Sequence, residues 1–110
     1  MFEAHVAGFL ADALDDDRIE RRARNGSKDR GDVGSVRTIN GKRVVVECKD
    51  VRAMNLSGWV DEAEVERGND DAAVGVVVHK RIRFGPKNMG GTYVTMTLAD
   101  LAVLLGGERD

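Results

Sequence analysis

Three charged residues of this chain, Asp32, Glu47 and Lys49, are of the types that assist hydrolysis of a phosphodiester. Cleaving such a bond needs an activated water, in-line attack, and neutralisation of charge on the phosphoryl and leaving oxygens. Two carboxylates can hold Mg2+ as Lewis acid and water activator, and a nearby ammonium stabilises charge or orients the water. The triplet Glu47-Cys48-Lys49 has the spacing a strand needs to point both charged groups the same way, leaving the small Cys48 thiol on the core-like side. The expected metal ligands are Asp32 and Glu47, with neighbouring main-chain carbonyls, that of Cys48 among them, and waters completing the octahedron. A Glu-x-Lys triplet is common in a charged chain. The same residues also serve a plain salt-bridge cluster in which Lys49 neutralises two surface acids.

The elements that must position these groups are legible around them. Asp32 to Ile39 and Lys42 to Lys49 read as strands joined by Asn40-Gly41, the dipeptide of a two-residue type I′ turn. In that register Ile39 pairs with Lys42, Gly34 falls opposite Glu47 and Asp32 opposite Lys49, so all the charged groups share one face and Gly34 leaves space above Glu47. A bulge would shift this pairing, and Asp29 stands second to Asp32 as ligand for that case.

Before the hairpin, Val6, Phe9, Leu10, Ala13 and Leu14 predict an amphipathic helix ending near Asp15-Asp16-Asp17, with Glu3 at the end of its buried stripe. Arg18 to Ala23 reads as a short edge strand, and Asn25 to Gly31 as a loop. After the hairpin, Asn55 caps a helix over Leu56 to Arg67 with Leu56, Trp59, Val60 and Ala63 inward and its acidic side solvated. Ala73 to His79 is an apolar strand for the middle of a covered sheet. Phe84 to Gly91 is a loop, Tyr93 to Met96 a strand, and Thr97 caps a last helix with Leu98, Leu101, Ala102 and Leu105 inward. Val103 and Leu104 are then spare apolar residues suited to a subunit contact. Trp59 is read as a core anchor, His79 as structural, and the Asp12 to Asp17 acids as a surface turn.

Composition narrows the options. A chain of 110 residues, 42% hydrophobic and 33% charged, is read as one globular α/β domain spanning residues 1–110. No apolar run approaches the ~20 residues of a membrane span, and Phe2-Glu3-Ala4-His5 lacks the basic start of a secretory signal. The single Cys48 fits a reducing cytoplasm, and with only His5 and His79 beside it a four-ligand cysteine/histidine zinc site is excluded. The net charge of −2 conceals segregation: Arg18, Arg21, Arg22, Arg24, Lys28 and Arg30 form one basic group, and Lys80, Arg81, Arg83 and Lys87 a second. Acid collects at Asp61, Glu62, Glu64, Glu66, Asp70 and Asp71. Basic surfaces on an acidic protein suit phosphate contact, although two solvated faces would read alike.

The run from Arg21 through Gly31-Asp32-Val33, followed by Val44-Val45-Val46-Glu47-Cys48-Lys49, resembles the PD-(D/E)XK nuclease motif. It is most similar to archaeal-type Holliday junction resolvases and their small phage-encoded relatives, over roughly Glu3 to His79. The resemblance implies a restriction-endonuclease-like αβββαβ core with a mixed sheet, extended here by a strand and helix from Tyr93 to Leu105 that have no counterpart. It implies metal binding by Asp32 and Glu47, assistance by Lys49, a first-helix glutamate for which Glu3 is the candidate, and a loop serine matched by Ser27. DNA contacts are then expected from Arg21, Arg22, Arg24, Ser27, Lys28, Arg30, Lys80, Arg81, Arg83 and Lys87. A Mg2+-dependent (or Mn2+-dependent) endonuclease on branched DNA, a homodimer in the cytoplasm of a bacterial host if phage-encoded, follows from the same resemblance. A nickase, a repair- or restriction-type nuclease, and an inactive DNA-binding module are the alternatives. One departure is Gly31, where the motif's name has proline.

Overall fold

The computed structural model describes residues 1–22 and 31–109. Arg24, Ser27, Lys28, Asp29 and Arg30, named above as DNA contacts or reserve ligand, lie outside those residues.

The two valine-rich runs form the centre. β3 (Val44–Lys49) and β4 (Val74–His79) are parallel, in register from Val44↔Val74 to Lys49↔His79. A parallel pair cannot be closed by a hairpin, and α2 (Leu56–Asn69) provides the crossover. β2 (Val33–Gly34) and β1 (Glu20–Arg21) continue the sheet antiparallel beyond β3, and β5 (Tyr93–Thr95) does so beyond β4. Among the described residues the result is an α/β fold around a five-stranded mixed sheet in the order β1-β2-β3-β4-β5, with three α-helices. α1 (Phe2–Leu14) covers one face, where Phe2, Val6 and Ala7 meet Val33, Val44, Val46, Val74, Val76 and Val78. α2 covers the other, with Trp59 and Ala63 on Val77. Among the described residues no helix is long and apolar enough to cross a membrane.

Alternation along β3 decides where the chemistry sits. Val44, Val46 and Cys48 belong to the α1 side, so Glu47 and Lys49 face α2. α2 itself lies close to the sheet because Gly75 has no side chain: a Cβ there would lie 2.9 Å from the Ala63 carbonyl oxygen and 3.2 Å from Glu64 Oε2. Gly75→Ala is therefore expected to push α2 outward and cost roughly 1–3 kcal/mol, read from the urea midpoint. An unchanged midpoint would refute this packing account.

Four expectations are corrected. The hairpin turn is longer than two residues: Thr38, not Ile39, pairs with Lys42, through Thr38 N–H to the Lys42 carbonyl at 2.8 Å. Gly41 N–H donates to the Thr38 carbonyl at 2.9 Å and Gly41 has φ +81, the three-residue loop with a left-handed third residue. A second irregularity follows at Ser35, φ 69, so that Arg37↔Arg43 is succeeded by Val33↔Val46. The two slips together displace the pairing by an even number of residues, which keeps Asp32 on the Glu47 face and sets it beside Glu47 instead of Lys49. Gly34 pairs with Glu20, and the space above it is taken by the Arg22 guanidinium.

α1 is rotated relative to its expected stripe. Phe2, Val6 and Ala7 are buried while Phe9, Ala13 and Leu14 are exposed, because the sheet engages the Phe2–Val6–Leu10 line and Phe9 rests beside Gly90 in the Pro86–Gly91 turn. α3 (Leu98–Leu104) is turned over: Leu98, Leu101, Ala102 and Leu105 face out, and Asp100 and Val103 face in. The cause is the open edge of β4. β5 pairs only with residues 77–79, and the Asp100 carboxylate accepts the Gly75 N–H at 3.0 Å and pairs with Arg109. Val103 is thereby core and not spare for a subunit contact. The acidic side of α2 is the fourth correction: Glu66 is buried and Glu62 is ion-paired to the sheet, as the site requires.

Candidate active site

Asp32, Glu47 and Lys49 meet at the end of β3 beneath α2, opposite Glu62 and Glu66. Gly31 bends the chain into Asp32 with φ +94, a conformation closed to proline, whose ring holds φ near −65°. A Cβ at Gly31 would also lie 3.0 Å from both Val45 Cγ1 and the Val46 carbonyl, so the departure from the motif's proline has a steric reason here. Asp32 Oδ2 accepts the Cys48 N–H at 2.8 Å, which fixes the carboxylate against β3.

Glu47 is only 1% exposed. Its Oε2 is buried without a hydrogen-bond donor among the described residues, and Oε1 lies 3.7 Å from Lys49 Nζ. Burial pushes its carboxyl up to about 7; contact with Glu66 and the Lys49 charge pull it down, while the Asp32 carboxylate pushes it further up. Lys49 Nζ donates to Glu62 Oε1 at 2.5 Å. Burial opposes its charge, but Glu62 and Glu47 outweigh that and hold the ammonium above its ordinary value. One carboxylate oxygen from each of Glu47, Glu62 and Glu66 lies within 4.8 Å of the other two.

Glu62 and Glu66 are the residues that sequence reasoning missed. The available signal was position: Glu66 stands three residues after Ala63 and seven after Trp59, on the stripe that meets the sheet. Glu3 is placed differently from the other candidates. It projects from the α1 layer, its Oε1 3.4 Å from the N-terminal amine, and, like Asp32, it is outside the group of three. Its charge is still felt at Cys48, whose thiol is raised by burial first and then by Asp32, Glu3 and Glu47. The thiol faces the α1 side, away from the carboxylates, as alternation requires.

His79, next to Lys49 across the parallel pair, is buried between Trp59 and Tyr93, with ring centroids 5.7 and 5.9 Å away. Nε2 is 2.8 Å from Thr95 Oγ1 and burial lowers its pKa, so it is a neutral wall beside the site. Of the basic residues, Arg21, Arg83 and Lys87 are exposed, and Lys80 is 3.5 Å from Asp50. Arg81 is committed elsewhere: its guanidinium lies 3.9 Å from the Phe84 ring centroid and 4.7 Å from that of Tyr93 and donates to the Gly91 carbonyl.

Comparisons of the chain with protein-family models, with curated proteins and with solved structures return no match.

Proposed function

We propose that the protein is a divalent-metal-dependent DNA endonuclease of the PD-(D/E)XK type, built on a restriction-endonuclease-like core. The observation that carries this reading is Glu47 itself: a carboxylate buried beside three other acids, one oxygen without a donor, next to a lysine on the same face. A surface salt-bridge cluster would be hydrated, whereas burying an unsatisfied carboxylate is costly and is rational where a cation completes it. The donor set is all oxygen, which suits Mg2+ or Mn2+.

Asp32 and Glu47, with the Cys48 carbonyl, would hold the ion, which when bound supplies a Lewis acid and a water of lowered pKa. In the hydrolysis, water adds hydroxide to phosphorus, one bridging P–O bond breaks, and the leaving alkoxide takes up a proton. Lys49 presents a fixed positive charge to the phosphoryl oxygens as their charge grows. Asp32 is kept oriented by its bond from Cys48 N–H, and Trp59 and His79 exclude water from the inner wall. Arg21, Lys80, Arg83 and Lys87, with the basic residues of the 23–30 segment, would track phosphates.

Branched DNA is the substrate we favour, cut by a two-fold dimer that sets two sites at a fixed spacing. The exposed Leu98, Leu101 and Leu105 of α3 suit that contact. The test incubates pure protein with Mg2+ or Mn2+ and a panel of four-way, flap, nicked and linear DNA. Metal-dependent cleavage strongest on junctions, abolished by EDTA, is expected; cleavage undiminished in EDTA would overturn the metal reading, and binding without cleavage would leave an inactive DNA-binding module. Affinity for DNA should fall steeply with salt, and neutralising Arg83 and Lys87 should flatten that slope without changing sequence preference. Sedimentation should report a dimer; a monomer that makes only single nicks would favour the nickase.

A further inference from the structure

The Lys49 ammonium lies against two of the three carboxylates that converge between β3 and α2, 2.5 Å from Glu62 Oε1 and 3.7 Å from Glu47 Oε1. Glu66 supplies the third oxygen within the same 4.8 Å group. The convergence is more than a patch of acid, because the Glu47 side chain is 2% exposed and its Oε2 has no donor. Among the described residues that oxygen accepts no hydrogen bond, which leaves it as a ligand position.

We propose that Glu62 and Glu66 complete the divalent-cation site with Glu47, and that the Lys49 ammonium is the resident counter-ion which the metal displaces. The proposal rests on the metal-dependent reading above and adds its regulation. An ammonium and a divalent ion compete for the same carboxylate oxygens, and the divalent ion brings twice the charge. Lys49 leaves Glu62 when the metal enters, and its four-carbon stem carries the ammonium to the rim of the face it shares with Glu47, where a phosphate arrives. Metal loading and release of the phosphate-binding lysine are thus one exchange. The metal-free protein keeps its catalytic charge locked to α2.

Calorimetric titration of Mn2+ into the whole protein without DNA, at about pH 8.5, where proton competition is small, tests this. Lys49→Met, which removes the competing charge at similar volume, is expected to bind Mn2+ at least about tenfold tighter, a floor well inside the roughly thousandfold effect of deleting a unit charge ~4 Å away at an effective dielectric of about 20. Lys49→Arg keeps a cation and should bind no tighter than wild type. Glu62→Gln and Glu66→Gln should each weaken binding by about tenfold or more. Unchanged or weaker binding by a folded Lys49→Met protein, unchanged binding by both glutamine variants, or no Mn2+ binding by wild type would each overturn the proposal. In wild type, where folding is not at issue, the Lys49 ε-methylene NMR signal should shift as Mg2+ is added; a signal that stays fixed overturns the exchange. Cleavage is not read in these measurements. A protein that exchanges Lys49 for Mn2+ yet cuts no DNA refutes the nuclease reading alone, and one that cuts while Lys49→Met leaves metal affinity unchanged refutes the exchange alone.

Discussion

Glu47→Gln is expected to abolish DNA cleavage and, in the same protein, to stabilise the metal-free fold above about pH 7. Both effects come from one carboxylate. In the fold its pKa is raised from 4.5 to about 7, so between those values the native state binds more protons than the unfolded chain. Stability attributable to this group therefore falls as pH rises through that window, and the penalty is complete above it, on the order of a few kcal/mol. Glutamine cannot ionise, and its amide can donate to the neighbouring Glu66 and Asp32 carboxylates. Thermal unfolding in EDTA at about pH 5 and about pH 8 should show the variant overtaking wild type at the higher value. Added Mg2+ should raise the wild-type Tm at about pH 8 through binding to the native state and leave the variant nearly unmoved. A variant less stable than wild type at both pH values would mean that Glu47 is a structural salt-bridge partner.

The second large effect concerns a residue remote from the chemistry. Asp100 is fully buried and holds three elements together: its carboxylate takes the Gly75 N–H of β4, pairs with Arg109, and meets Glu64 of α2, while its own N–H is capped by Thr97 Oγ1 at 3.0 Å. Asp100→Ala leaves the Gly75 donor unmet at an open sheet edge and strips Arg109 of its carboxylate partner, leaving it the Ala73 carbonyl. A loss of about 3 kcal/mol is expected, a fall in Tm on the order of 15 °C. Asp100→Asn retains an acceptor and should recover part of it. Leu98→Ser, at a position 81% exposed on the same helix, should change stability by less than about 0.5 kcal/mol in the monomer. An Asp100→Ala protein within about 1 kcal/mol of wild type would contradict the role given to this edge.

Much of this arrangement follows from interactions that reach only a few residues. Asn55 accepts from Gly58 N–H to start α2, and Thr97 accepts from Asp100 N–H to start α3; both caps are readable from residue type. Val44-Val45-Val46 and the run to His79 were bound to be covered strands, and period-two alternation then places Glu47 and Lys49 together with Cys48 opposite. What needed the assembled molecule was the choice among surfaces that look alike in one dimension. Two apolar stripes run along α1 and two along α3, and which one turns inward depends on the partner it meets: the valine face of the sheet for Phe2 and Val6, the edge Gly75 N–H, which no strand takes, for Asp100. The hairpin slipped twice and kept its charged face only because the slips sum to an even number. Glu62 and Glu66 looked like solvent-facing acids until α2, lying close over Gly75, brought them onto Lys49 and Glu47. Caps, turns and alternation are local and strong enough to be read in order along the chain. Burial of one helix face over another is a comparison of whole surfaces, and that comparison exists only once the chain has closed.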